Sequence, residues 1–141
     1  MSAIQENKRR FHIIIDAFNC DNNLISDKNK IEQAIRDIAQ LCGMKLLYGP
    51  IVIEGVEENP GVTGFAIIDF SHISMHTFTK DREICVDIFS CKPFDVEKVK
   101  GYVVDTLKLS HESIKYIEVT YPQDMSSWGK AEGSHSSIVT S

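Results

Sequence analysis

Apolar positions along the chain change their period several times, and each change marks an element. Residues 11–18 (FHIIIDAF) are rich in β-branched and aromatic side chains and read as a strand. After the polar turn cluster Asp21-Asn22-Asn23, the residues Ile31, Ala34, Ile35, Ile38, Leu41 and Cys42 recur at three- and four-residue steps. That spacing puts one apolar stripe on a helix, and Gly43 stands where a left-handed helix stop belongs. Residues 44–56 read as a strand bent at Gly49-Pro50, and 57–61 (EENPG) as a turn. Three strand-like runs follow closely, over 64–70, 72–79 and 83–90. In the last, Ile84, Val86 and Ile88 alternate with Glu83, Cys85 and Asp87, the pattern of a half-buried strand. Phe94-Asp95 opens a second helix with Val96, Val99, Val103 and Leu107 on its inner face, and residues 114–121 make a final strand.

The predicted order is strand–helix–strand–strand–strand–strand–helix–strand. Two amphipathic helices on one face of a largely antiparallel sheet make a two-layer sandwich, an α/β fold of the α+β type. Residues 1–121 form a single domain in this reading. The stretch 122–141, rich in Ser and Gly and without periodicity, is expected to be a flexible polar tail. A sheet face left without helices is costly to expose, so pairing with a second copy is expected.

Composition narrows the function classes. The chain has 141 residues, 43% hydrophobic and 25% charged, with a formal net charge of −5. That is enough apolar material for one core and too much for a disordered chain. The acidic balance argues against a nucleic-acid partner, because phosphate binding wants a basic face. No apolar run approaches the ~18–20 residues needed to span a bilayer. Lys8-Arg9-Arg10 before an apolar run imitates a signal peptide, but Asp16 interrupts that run and no small-residue cleavage site follows. A cytoplasmic location with reduced thiols is expected. Cys20, Cys42, Cys85 and Cys91 form no CxxC pair, and for the first three the simplest role is a small buried apolar side chain.

Candidate chemistry concentrates in residues 60–92 (PGVTGFAIIDFSHISMHTFTKDREICVDIFSCK). Ser71, His72, Ser74, His76 and Thr77 crowd polar and titratable groups into sheet. Alternation puts His72, Ser74 and His76 on one face and Ser71, Ile73 and Met75 on the other. Taken alone, this fits a satisfied polar face as well as a catalytic one. A zinc site lacks a third ligand at recognisable spacing, so no metal is expected. A Cys–His hydrolase lacks an orienting third group.

The run Ser71-His72-Ile73-Ser74-Met75-His76-Thr77, followed by Val86-Asp87-Ile88-Phe89-Ser90-Cys91, resembles the bacterial and archaeal S-adenosylmethionine decarboxylase proenzymes. Gly61-Val62-Thr63-Gly64 matches a Gly-Val-Ser-Gly element of that family, and Phe11-His12-Ile13-Ile14-Ile15-Asp16 its opening strand. The resemblance covers roughly residues 10–121. It implies a self-processing, pyruvoyl-dependent carboxy-lyase serving polyamine (spermidine) synthesis, cleaved between Phe70 and Ser71. The hydroxyl of Ser71 would take the acyl group from its own peptide nitrogen. Elimination and hydrolysis would then leave a pyruvoyl group that forms a Schiff base with an amino-acid-type substrate. By the same resemblance His76 and Thr63 assist processing and Cys91 is the proton donor, while pairing through the uncovered sheet face would make a homodimer of processed protomers.

Besides Thr63 for Ser, the chain departs from the family at three places. Phe70 stands for Glu before the cleavage serine, Phe78-Thr79-Lys80 for Trp-Pro-Glu, and Lys92 for the Gly after the catalytic Cys. A Lys at position 80 cannot accept hydrogen bonds from ribose hydroxyls and would repel a sulfonium. Two further readings therefore stand beside S-adenosylmethionine. One is a paralogue decarboxylating arginine or ornithine, with Asp69, Asp81, Glu83 and Asp87 as candidate partners for a basic side chain. The other is an unprocessed, non-enzymatic partner or sensor subunit.

Overall fold

The computed structural model describes residues 10–122. It holds strands β1 (Phe11–Ala17), β2 (Leu46–Val56), β3 (Asn59–Ile68), β4 (Ser71–Phe78), β5 (Glu83–Ser90) and β6 (Ile114–Val119). The helices are α1 (Asn22–Ile25), α2 (Lys28–Leu41) and α3 (Val96–Leu107). The six strands form one sheet in the order β2-β3-β4-β5-β1-β6, and every neighbouring pair is antiparallel. This is the expected two-layer α+β sandwich, with β4 and β5 at its centre.

Local chemistry sets the helix starts. Asp27 caps α2 by accepting from the amides of Asn29 and Lys30, and Asp95 caps α3 by accepting from Lys98. The buried stripe of α2 is Ile31, Ala34, Ile35, Ile38 and Ala39, and that of α3 is Val99, Val103 and Leu107. Both stripes join one core with the inward residues of the strands, among them Ile13, Ile15, Ala66, Ile73, Met75, Val86 and Ile88. The strand alternation is therefore real on β4 and β5: inward positions are buried, and outward ones are half-buried apart from the exposed Glu83. Among the described residues no helix is long and apolar enough to cross a membrane.

Three expectations are adjusted. Asp21-Asn22-Asn23 does not end in a plain turn: Asp21 accepts from the Asn23 amide and starts the single helical turn of α1. The turn expected over 57–61 shrinks to Glu57-Glu58, since Val56 already pairs with Asn59. Cys85 is half-buried on the outward side of β5, whereas Cys20 and Cys42 are buried. The tail expected from Pro122 lies, beyond that residue, outside the described part of the chain.

The outward sheet face carries a band of exposed apolar side chains. Tyr48, Ile51, Ile53, Phe65, Ile67 and Ile117 all present there and are all exposed.

Candidate active site

Ser71 starts β4 directly after the two-residue connection Asp69-Phe70 that joins it to β3. Cys91 follows β5, and since β4 and β5 are antiparallel neighbours, the start of one meets the end of the other. Ser90 shapes that end. Its hydroxyl donates to the Lys92 carbonyl at 2.6 Å and accepts from the Lys92 amide at 3.0 Å, closing a tight turn around Cys91.

The turn aims Cys91 at Ser71. The Cys91 amide donates to Ser71 Oγ at 2.9 Å, and Ser71 Oγ donates to the Asp69 carbonyl at 3.0 Å. The Cys91 thiol lies 3.5 Å from the same carbonyl. Lys92 Nζ, 3.6 Å from Asp69 Oδ2, adds a third tie between the two loops. Ser71 is buried, at 6% exposure, while Cys91 is exposed. Phe70 precedes Ser71 directly. It adopts φ 52° with its side chain 84% exposed, a left-handed conformation that a bulky residue holds only at a cost.

Thr63 and His76 form a second pair. They are register partners on β3 and β4, with Thr63 Oγ1 3.3 Å from His76 Nδ1. The two glycines flanking Thr63 have separate tasks. A Cβ on Gly61, at φ 151°, would collide with the Thr77 carbonyl oxygen, and one on Gly64 would come within 2.7 Å of Ile35 Cδ1. The Gly-Val-Thr-Gly element thus lets β3 lie against β4 and under α2, and it presents the Thr63 hydroxyl beside the imidazole.

Within one chain the two pairs stay apart. Ser71 is on the core side of β4 and His76 on the outward side, five residues further along. At ~3.3 Å per residue the separation along the strand is about 16 Å. The protein brings Ser71 to Cys91 and Thr63 to His76, but not one pair to the other.

A family model described as S-adenosylmethionine decarboxylase matches residues 11–119. The chain belongs to the S-adenosylmethionine decarboxylase family. Relatives named S-adenosylmethionine decarboxylase proenzyme include one from Clostridium botulinum, 32% identical over 110 residues, covering 76% of this chain and 90% of the relative. One from Pyrococcus horikoshii is 28% identical over 114 residues, 76% of each chain. A third, from Methanococcus maripaludis, is 36% identical over 81 residues, or 57% of this chain, and the match spans 63% of the relative's length. The fold matches the crystal structure of the adenosylmethionine decarboxylase from Aquifex aeolicus VF5 with a TM-score of 0.68. There the identity is 18%, over 80% of this chain and 90% of that one.

Against the family pattern, the departing residues take defined places. Lys80 Nζ donates to the Glu58 carbonyl at 3.1 Å, so its ammonium is tied to the β2–β3 turn. Asp69 faces Lys92, and Asp87 faces two imidazoles, so two of the four carboxylates considered for a basic substrate already have cationic or imidazole partners.

The family resemblance assigns no role to His72 or His12, and Asp87 enters from the sequence only as a candidate partner for a basic substrate. His12 Nε2 lies 2.9 Å and His72 Nε2 3.4 Å from the same Asp87 Oδ1, and the Tyr121 hydroxyl is 2.6 Å from His12 Nδ1. The only sequence signal was that His72 and Asp87 fall on outward positions of adjacent strands.

Proposed function

We propose that the chain is a proenzyme that cuts itself between Phe70 and Ser71 and then decarboxylates S-adenosylmethionine for polyamine synthesis. The observation that carries this reading is the Ser71–Cys91 contact beside a left-handed Phe70. A buried hydroxyl with its oxygen fixed by an amide donor, next to a strained peptide, is a starting point for acyl transfer from nitrogen to oxygen. The proton of that hydroxyl rests on the Asp69 carbonyl, which is too weak a base to keep it. An imidazole is strong enough, and the hydroxyl of Thr63 beside His76 can steady it.

The imidazole of the same chain is out of reach, so a second copy is the natural source. Packing two outward sheet faces together would cover the exposed band of Tyr48, Ile51, Ile53, Phe65, Ile67 and Ile117. It would also turn the Thr63–His76 pair of one protomer toward the other, where the accessible target is the Phe70–Ser71 peptide at the start of β4, beside the exposed Phe70. We therefore take the active form to be a homodimer with sites built from both copies.

Residue 71 suits a pyruvoyl group. Its side chain is enclosed, and the Cys91 thiol, exposed to solvent, shares the Asp69 carbonyl with it. The ketone supplies the electron sink that departure of the substrate carboxylate requires. Cys91 can hand its S–H proton to the substrate carbon afterwards. All four cysteines are unpaired, which suits the reducing cytoplasm. Carbon dioxide release measured with S-adenosylmethionine, arginine and ornithine tests the substrate. Release from the sulfonium substrate is expected; release from a basic amino acid alone would replace it.

A further inference from the structure

Cleavage at residue 71 raises a positional problem. The residue stops being a strand start held by the chain before it and becomes the first residue of a new chain, and chain ends fray unless something ties them down. In the uncut protein Ser71 is tied through its hydroxyl oxygen, to the Cys91 amide and the Asp69 carbonyl. That oxygen leaves with the Phe70 carboxyl group at the elimination that breaks the chain, so both contacts are lost before hydrolysis produces the ketone. The nearest side-chain anchor is then the next residue, His72.

His72 is held on three sides. Its ring is stacked between Phe65, with centroids 5.7 Å apart and planes at 24°, and Phe89, at 5.6 Å and 15°. Its Nε2 faces Asp87 Oδ1 at 3.4 Å. Asp87 is itself fixed by His12 Nε2 at 2.9 Å, and His12 by the Tyr121 hydroxyl at 2.6 Å. Strands β1, β4 and β5 are thus tied together one residue from the cleavage point.

Resting on the decarboxylase reading, we propose that the His12–Asp87–His72 network anchors the ketone-bearing end of β4 after cleavage. His72 and Asp87 are positioning residues, acting through the backbone of residue 71 and not on the substrate.

The test uses the full-length protein and the variants His72→Phe, Asp87→Asn and their combination. His72→Phe keeps a ring between Phe65 and Phe89, which guards the fold, and Asp87→Asn keeps the shape while removing the charge. Intact mass gives cleavage, phenylhydrazine titration gives ketone per chain, and amide hydrogen exchange gives the order of the first β4 residues. Both single variants are expected to cleave and to carry the ketone as the parent does. Exchange over 72–74 should quicken by about tenfold against the core strands. Turnover per ketone should fall by about tenfold, with KM within about twofold. The double variant should be no worse than the poorer single one, because the two residues act as a unit. Exchange or turnover per ketone unchanged in both single variants overturns the proposal, as does a rise in KM in place of the fall in kcat. Loss of cleavage in the variants alone also overturns it, by moving the network to the processing step. A parent chain that never cleaves overturns the decarboxylase reading and this proposal together, whereas a cleaved parent with unaltered variants overturns this proposal alone.

Discussion

The backbone amide of Cys91 and the side-chain oxygen of Ser71 are joined by a 2.9 Å hydrogen bond across the β4–β5 pair. The link comes from the main chain of residue 91, so it survives a change of side chain. Cys91→Ala is therefore expected to leave self-cleavage intact. Turnover should fall by ~10²–10⁴, the usual cost of removing a positioned proton donor. Mass spectrometry and carbon dioxide release on the same preparation check both halves.

Phe70 holds φ 52° while its side chain is almost entirely in solvent, so the conformation costs energy and the side chain buries little in return. Glycine accepts that backbone without penalty, and the difference is about 1–2 kcal/mol. In an uncleavable Ser71→Ala background, Phe70→Gly should raise stability by that amount in a denaturant melt. With Ser71 present, the same change should slow cleavage by up to about tenfold, because strain relieved in the precursor is no longer released on the way to the ester.

His76 and Ser71 share a strand but face opposite sides, about 16 Å apart at the usual rise per residue. His76→Ala and Ser71→Ala chains made separately should each stay whole. Made together, they should form mixed dimers if the proposed homodimer is the active form, and in these the His76→Ala chain keeps its Ser71 and meets an intact imidazole from its partner. Cleavage of the His76→Ala chain only in the co-expressed sample is expected, read by mass. No cleavage in the mixture would mean that processing does not draw on the second copy.

Burial separates the four thiols. It pushes Cys42 up to about 12 and raises Cys20 and Cys85 from the ordinary thiol value, with Asp16 adding to the rise at both of the latter. A raised value means less thiolate at a given pH, and the thiolate is the reacting form. Exposed Cys91 should be alkylated first by iodoacetamide at pH 8. Cys42 should stay unmodified until the protein unfolds, as peptide mapping over time would record.

Much of the fold was legible because local and global signals agree. The 83–90 run alternates cleanly and is β5 to the residue, and Asp95 both opens and caps α3. The exceptions have local causes. Asp21 has a side chain short enough to cap a helix, so a cluster that reads as a turn starts α1. Asn59-Pro60-Gly61 reads as a loop by composition, yet a two-residue connection suffices and the sheet claims all three. At the site, alternation already set Ser71 and His76 on opposite faces, but only the strand register shows that Cys91 joins the first and Thr63 the second. The His12–Asp87–His72 network depends on β1 lying beside β5, a long-range pairing that no local pattern announces.

The proposed chemistry requires the chain to break itself at one peptide bond. Intact-mass measurement on freshly purified protein reads this directly. Two fragments meeting between Phe70 and Ser71, the second beginning with a blocked, ketone-bearing residue, are the expected result. A single uncut chain persisting under all conditions of incubation would contradict it.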